Sequence, residues 1–154
     1  MKRIFLILFM LITLPVFADE KQEALDFFNN YVSSANSYSA TIADMYSPSA
    51  KIIRQIIKPD GTTANATTDT ATYIKQMKLG QAGAKLRQYK NYYTDIAVTP
   101  YEDGYKISSL RQPSGETYKL KTYMIVKKQP NGKWLIVEEM MQTKVQMLLK
   151  YADK

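Results

Sequence analysis

The chain has 154 residues, of which 45% are hydrophobic and 23% charged, and its formal net charge is +7. It contains no cysteine and no histidine. The lack of cysteine excludes a disulfide-framed secreted module. The lack of histidine removes the commonest general base and the commonest metal ligand from any site.

A secretory signal peptide is predicted over residues 1–18. A cationic start at Lys2-Arg3 precedes an apolar run over residues 4–17, and Ala18 supplies the small residue expected before a cleavage site. The run is too short for a comfortable membrane span, which takes roughly 20 residues. We therefore expect the protein in a bacterial periplasm or outside the cell, with an uncleaved N-terminal anchor as the alternative.

The remaining residues, 19–154, are predicted to form one domain that buries a core without disulfides. Without Lys2 and Arg3 its formal charge falls from +7 to +5. Such a balance suggests anionic neighbours, or simply a lysine-rich surface in water.

Helices are predicted mainly in the first half of this domain. Apolar residues spaced three and four apart indicate helices over residues 21–35 and 40–46. Asp69 or Thr70 is a suitable N-cap for a third helix that ends near residue 82. Residues 145–151 are compatible with a short terminal helix.

Five strands are predicted, separated by turns rich in proline, glycine and aspartate. They cover residues 50–58, 89–99, 105–112, 118–127 and a final run that starts at Trp134. The polar, threonine-rich segment 62–68 is predicted to be a loop.

The last two strands form a hairpin over residues 123–143, because Asn131-Gly132 favours a tight turn. The final strand carries apolar residues at both odd and even positions, which is typical of a central strand covered on both faces. Strict alternation assigns Trp134, Ile136 and Met140 to one face and Leu135, Val137 and Met141 to the other.

Segregated helices and strands predict an α+β fold, a curved antiparallel sheet with about three helices packed on one face. The order of elements resembles the nuclear transport factor 2-like (NTF2-like) superfamily, also described as SnoaL-like or cystatin-like cones. Two segments carry the resemblance, residues 42–52 (IADMYSPSAKI) and residues 131–137 (NGKWLIV). The resemblance implies a cone whose sheet curls around a pocket closed by the helices. It implies no single activity, since the same cone hosts isomerases, dehydratases, cyclases, transport adaptors and secretion scaffolds.

The residues that perform catalysis in such cones are not matched here. Tyr31 looks like the oxyanion tyrosine of the steroid isomerase-like members. Their aspartate base lies a few residues past the position of Ala50, where this chain has Arg54, which cannot accept a proton near neutrality. The dehydratase-like members need a histidine, which is absent. We predict no catalytic residue, no metal and no cofactor.

A ligand pocket is the alternative use of the cone. Glu138 and Glu139 are adjacent on a strand and face opposite ways, so one should point inward and pair with Arg54, Lys121 or a tyrosine hydroxyl. A strand end emerging into solvent is the competing interpretation. The predicted pocket residues are Phe28, Tyr31, Arg54, Met124, Trp134, Glu138, Glu139 and Met140.

A basic, aromatic segment over residues 85–93 could stack nucleic-acid bases, but an exported protein seldom meets nucleic acid. Protein docking is the better functional use of its tyrosines.

We therefore predict a non-catalytic exported protein that binds a small apolar ligand with a polar group, or a partner in the cell envelope. A homodimer through the sheet face is also expected. The alternatives are a scaffold subunit of an envelope or secretion assembly and, third, an isomerase, dehydratase or cyclase.

Overall fold

The computed structural model describes residues 14–153, with side chains from residue 18 onward, so most of the predicted signal peptide lies outside the described residues. Within them, two α-helices and two 3-10 helices accompany six strands. The helices are α1 (Leu14–Asn36), a first 3-10 helix (Ala40–Met45), α2 (Thr70–Leu86) and a second 3-10 helix (Gln146–Tyr151). The strands are β1 (Tyr46–Ile57), β2 (Thr63–Asp69), β3 (Asn91–Tyr101), β4 (Gly104–Pro113), β5 (Leu120–Lys128) and β6 (Trp134–Thr143). In the described part of the chain, no helix combines the length and hydropathy required to cross a bilayer.

The strands form one sheet in the order β2-β1-β6-β5-β4-β3, so β6 is central as predicted. The prediction of a wholly antiparallel sheet is wrong in one place, because β1 pairs with β6 in parallel. The chain leaves β1 through β2 and α2, then builds the meander of β3 to β6. The last strand of the meander returns beside β1 in the same direction, which gives a mixed sheet.

The segment predicted to be a polar loop is strand β2. It pairs antiparallel with β1, from Lys51 opposite Asp69 to Ile57 opposite Thr63. Threonine is β-branched and suits a strand, and at this sheet edge the exposed Thr67 hydroxyl donates a 2.6 Å hydrogen bond to Asp153. Ala66 is the only buried residue of β2, which explains why no apolar alternation marks it in the sequence.

A β-bulge on β6 changes which side chains face inward. Val126 pairs with Ile136, while the preceding Ile125 pairs with Glu138, so Val137 is the extra residue. The extra residue shifts the alternation, and the inward set continues with Glu139 and Met141. The assignment of Met140 to the face of Trp134 is therefore wrong. The outward side chains of β6 are half-buried, so this face is less covered than predicted.

Helix α1 packs one face on the concave side of the sheet. Ala24, Phe28 and Tyr31 recur at the helical spacing and are each at most 3% exposed. They join β-strand residues such as Ile52, Ile107, Val126 and Ile136 in the hydrophobic core.

Helix α2 is fixed at its N-terminus, and near its other end the Gln81 side chain donates a hydrogen bond to the carbonyl oxygen of Tyr38. Asp69 is the N-cap, accepting a 2.8 Å hydrogen bond from the backbone N–H of Thr72. The Thr70 hydroxyl lies 2.9 Å from the carbonyl oxygen of Ser47 and 3.0 Å from that of Ala50, which ties the helix to β1. Thr70 is the only fully buried residue of α2, so the rest of the helix stands off the sheet and leaves a space beneath it.

Candidate pocket and the buried carboxylate behind it

A cavity of about 370 Å³ lies between α1, α2, the first 3-10 helix and the neighbouring parts of β3 and β6. This volume is within the range of small-molecule sites, about 300–1,000 Å³. The cavity is lined by Tyr31, Ser34, Ala35, Tyr38, Ser39, Ile42, Tyr73, Met77, Gly80, Gln81, Ala84, Arg87, Tyr89, Asn91 and Met141. The lining contains tyrosine, methionine and small residues, and it contains no carboxylate.

Small side chains on the two helices keep the cavity open. Helix α1 contributes Ser34 and Ala35, and α2 contributes Gly80 and Ala84 across from them. An added Cβ at Gly80 would meet nothing within 4 Å, so the space beside it is free. Larger side chains at these positions would fill the volume between the helices.

A buried carboxylate lies behind the tyrosine wall of the cavity. Glu139 is 0% exposed, and Tyr31 separates it from the open volume. Its Oε2 accepts hydrogen bonds from the hydroxyl groups of Tyr31 at 3.1 Å and Tyr46 at 2.5 Å. Its Oε1 accepts a 2.8 Å hydrogen bond from Nη1 of Arg54. Both oxygens of the carboxylate are therefore occupied.

The same cluster shifts the titration of its tyrosines and its arginine. Burial raises the pKa of the Tyr31 and Tyr46 hydroxyls well above 10, and the Glu139 carboxylate raises both further. Burial by itself lowers the pKa of the Arg54 guanidinium, but the attraction of Glu139 outweighs it and the net pKa is raised. The Arg54 guanidinium also lies 5.0 Å from the ring centre of Tyr73, in a cation–π contact.

The hydrogen bonds within the cluster engage the groups that could act on a substrate. A general base needs a lone pair directed at the substrate, yet each oxygen of Glu139 is engaged by a protein donor. An oxyanion donor must direct its proton at the substrate, whereas Tyr31 donates its proton to Glu139.

The structure brings together only part of the predicted pocket. Tyr31 lines the cavity. Phe28, Arg54, Met124 and Glu139 lie in the core around it rather than on its surface.

Trp134 is buried elsewhere in the core, where its indole N–H donates a 3.0 Å hydrogen bond to Glu23, and it does not line the cavity. Glu138 and Met140 project from the outer face, because the bulge at Val137 shifts the alternation. Glu138 accepts a 2.6 Å hydrogen bond from the Tyr123 hydroxyl there. The inclusion of Glu138 and Met140 in the pocket is therefore corrected.

The prediction from the sequence did not include Tyr73, Gly80 and Ala84 of α2, although a signal for them exists. Tyr73, Met77, Gly80 and Ala84 recur at spacings of three and four within the predicted third helix, so they share one face. Tyr38 carried no such signal, because it sits outside any helix with a left-handed backbone (φ 58°). Its hydroxyl group is buried and has no hydrogen-bond partner among the described residues.

The described residues contain no group of three or more acidic side chains placed to hold a metal ion.

Solved structures share this fold. An NTF2-like protein of unknown function from Pseudomonas putida superposes with a TM-score of 0.64 at 12% identity, covering 89% of this chain and 94% of that one. An NTF2-like protein with a cystatin-like fold from Novosphingobium aromaticivorans gives 0.59 at 12% identity, covering 85% and 86%. A candidate ketosteroid isomerase from Shewanella frigidimarina gives 0.55 at 14% identity, covering 75% and 91%.

No protein-family profile matches the sequence, and no curated protein matches it either. The likeness at these identities shows the fold alone. The chain has the NTF2-like, cystatin-like α+β fold, as its sequence predicted.

Proposed function

We propose that the protein is a non-catalytic binding protein that holds a small, mostly apolar ligand in the cavity between α1 and α2. The supporting observation is the combination of an open cavity of about 370 Å³ with a buried carboxylate behind its wall, whose two oxygens already accept three hydrogen bonds from the protein. Tyrosine and methionine side chains offer apolar contact area that adapts to different ligand shapes.

Two features of the lining support selectivity within this proposal. The unpaired hydroxyl of Tyr38 can hydrogen-bond a polar group of the ligand, which would satisfy a buried polar atom that otherwise has no partner in the described structure. Met77 and Met141 lie on opposite walls, one on α2 and one on β6, and provide apolar contacts. A molecule with an apolar body and one polar group matches both features.

A second candidate, docking of an envelope partner, is favoured by strand β3. It is an edge strand of the sheet, and it exposes Tyr92, Ile96 and Tyr101, each at least 40% accessible. An unpaired strand edge with exposed aromatic residues can receive another chain by strand addition. This surface is separate from the lining of the cavity, so the two functions are compatible.

The cavity proposal is tested with a neutral fluorescent probe, 1-N-phenylnaphthylamine, titrated into the full-length protein. Ala84 lines the cavity, whereas Ala82 is exposed on the same helix, so Ala84→Phe and Ala82→Phe add the same ring inside and outside the pocket. We expect saturable binding to the unmodified protein and to Ala82→Phe, and loss of at least about tenfold in affinity for Ala84→Phe. Equal binding by the two variants would exclude the cavity as the site.

Native mass spectrometry of the protein purified from an envelope fraction complements the probe. It reports any small molecule that co-purifies and whether Ala84→Phe removes that molecule while Ala82→Phe retains it.

A further inference from the structure

One of the residues that line the cavity is an exposed arginine, Arg87. Arg87 is the C-cap residue of α2, and its guanidinium folds back toward Gly83. Its Nη1 lies 3.6 Å from the position that a Cβ atom added to Gly83 would occupy. Among the described residues, its guanidinium has no ion-pair or hydrogen-bond partner.

A second arginine is buried one side chain away from the same cavity. Arg111 is 7% exposed, and its Nη1 donates a 2.8 Å hydrogen bond to Oδ1 of Asn91. Its Nη2 donates a 2.8 Å bond to the carbonyl oxygen of Gln142, and a longer contact of 3.4 Å reaches the Tyr89 hydroxyl. Both Asn91 and Tyr89 line the cavity.

The charge of Arg111 is not compensated within the described chain. All three of its acceptors are neutral, and its Nε is buried without a partner. Burying a cation without an opposite charge costs free energy, and an anion placed nearby would offset that cost.

The acidic groups near the cavity do not alter this balance. None of the lining residues is acidic. Glu139, behind the wall, is neutralised by its ion pair with Arg54. The groups at and just behind the lining therefore carry a net positive charge, from Arg87 and Arg111. Coulomb attraction to an anion is stronger where the site is partly desolvated, as around the buried Arg111, than in water.

Building on the proposed function, we infer that the ligand is an amphiphile with one anionic group, a carboxylate or a sulfate or phosphate ester. The anionic group binds at the Arg87 end, where a guanidinium can donate two parallel hydrogen bonds to its oxygens. The apolar part lies against Tyr31, Met77 and Met141. Arg111 acts from behind Asn91, holding that side chain and adding positive charge to the site.

The test uses three probes with the same ten-carbon chain: decanoate, decyl sulfate and 1-decanol, each kept below its aggregation concentration. Isothermal titration calorimetry measures their dissociation constants for the full-length protein. Arg87→Gln removes a positive charge from the cavity lining. Lys85→Gln is the matched control, because Lys85 is exposed on the same turn of α2, carries the same charge and does not line the cavity.

We expect at least one anionic probe to bind about tenfold or more tightly than decanol. Arg87→Gln should weaken that binding by about tenfold, while its affinity for decanol and the affinities of Lys85→Gln stay within about twofold of the unmodified protein. The stronger of the two anionic probes shows whether the site prefers a carboxylate or a sulfate ester.

Two results would overturn the inference. One is equal affinity for decanol and for both anions, and the other is an equal effect of Arg87→Gln and Lys85→Gln. The failure of the proposed function is distinguishable, because the neutral naphthylamine probe would then bind Ala84→Phe and Ala82→Phe equally well.

Discussion

Arg54 and Glu139 form a 2.8 Å ion pair across the adjacent parallel strands β1 and β6. Glu139 is level with Ile52 in the parallel register, so Arg54 reaches back diagonally by two residues. The Glu139 side chain is 0% exposed and that of Arg54 is 22% exposed. Because Glu139 also accepts a hydrogen bond from the Tyr31 hydroxyl, this carboxylate links α1 with strands β1 and β6.

Replacing Glu139 by glutamine should destabilise the protein. The amide keeps the shape of the carboxylate but removes the negative charge, leaving Arg54 unpaired and the tyrosine hydroxyls with a weaker acceptor. Removing one partner of a buried ion pair costs about 3–5 kcal/mol. Because Arg54 is partly exposed, we expect a loss at the lower end of this range, about 3 kcal/mol. Urea denaturation measures this change in the free energy of unfolding.

Glu138→Gln is the matched control for that experiment. The residue is the sequence neighbour of Glu139, but it lies on the outer face and bonds the Tyr123 hydroxyl. We expect it to change the unfolding free energy by about 1 kcal/mol or less. Adding Arg54→Gln to Glu139→Gln should recover part of the lost stability, since the unpaired cation is removed. Equal losses for the two glutamate variants would contradict a structural role for the ion pair.

Stability should fall steeply in alkaline solution. Burial, reinforced by the Glu139 charge, raises the pKa of Tyr31, Tyr46 and Tyr73 in the folded protein above their ordinary value of 10.0. The folded state thus retains protons that the unfolded chain loses above pH 10. The stabilisation is fully present below about pH 10 and is lost as the pH rises further, by about 1.4 kcal/mol per pH unit for each group.

The measurement is the unfolding free energy between about pH 8 and pH 11. Tyr46→Phe removes one of the shifted hydroxyls and should reduce the slope above pH 10. Tyr151→Phe is the control, since Tyr151 is 62% exposed, and its slope should match that of the unmodified protein. A slope that Tyr46→Phe leaves unchanged would show that this hydroxyl titrates normally.

Trp134 should contribute strongly to stability although it lies away from the cavity. It is 9% exposed and packs against Tyr105 with the ring centres 6.0 Å apart. Large-to-small changes at such positions cost about 3–5 kcal/mol, so Trp134→Ala should lose that amount in denaturant unfolding. Trp134→Phe keeps most of the apolar contact and should lose clearly less. A loss below about 1 kcal/mol for Trp134→Ala would contradict the burial of Trp134 against Tyr105.

Local signals in the sequence predicted the local structure well. The Asn131-Gly132 turn forms, with Gly132 at a φ of +81° and its N–H bonded to the carbonyl of Gln129. The Asp69 cap of α2 also forms. These features depend on residues a few positions apart, whose side chains carry the necessary conformational preferences.

Features that depend on distant residues were not predictable in the same way. The parallel pairing of β1 with β6 joins segments more than 80 residues apart. The bulge at Val137 is defined by the pairing of β6 with β5, so the sequence of either strand alone does not predict it. Strict alternation consequently assigned Met140, rather than Met141, to the inner face. The need for a partner to any inward glutamate was clear from elementary electrostatics, but which glutamate turned inward depended on the bulge.

The last prediction, made from the sequence of residues 1–18, is that the protein is exported and cleaved after Ala18. Ala18 and Asp19 are exposed, and the first fully buried residue of α1 in the described side chains is Ala24. Cleavage at this point would leave Ala24, Phe28 and Tyr31 in place, so the core would keep its contacts. We expect N-terminal sequencing of the protein from a periplasmic fraction to start at Asp19. A version expressed from Asp19 should then unfold with a free energy within about 1 kcal/mol of the exported protein, because both would be the same chain. Recovery of intact Met1 from the membrane fraction would instead indicate an N-terminal anchor.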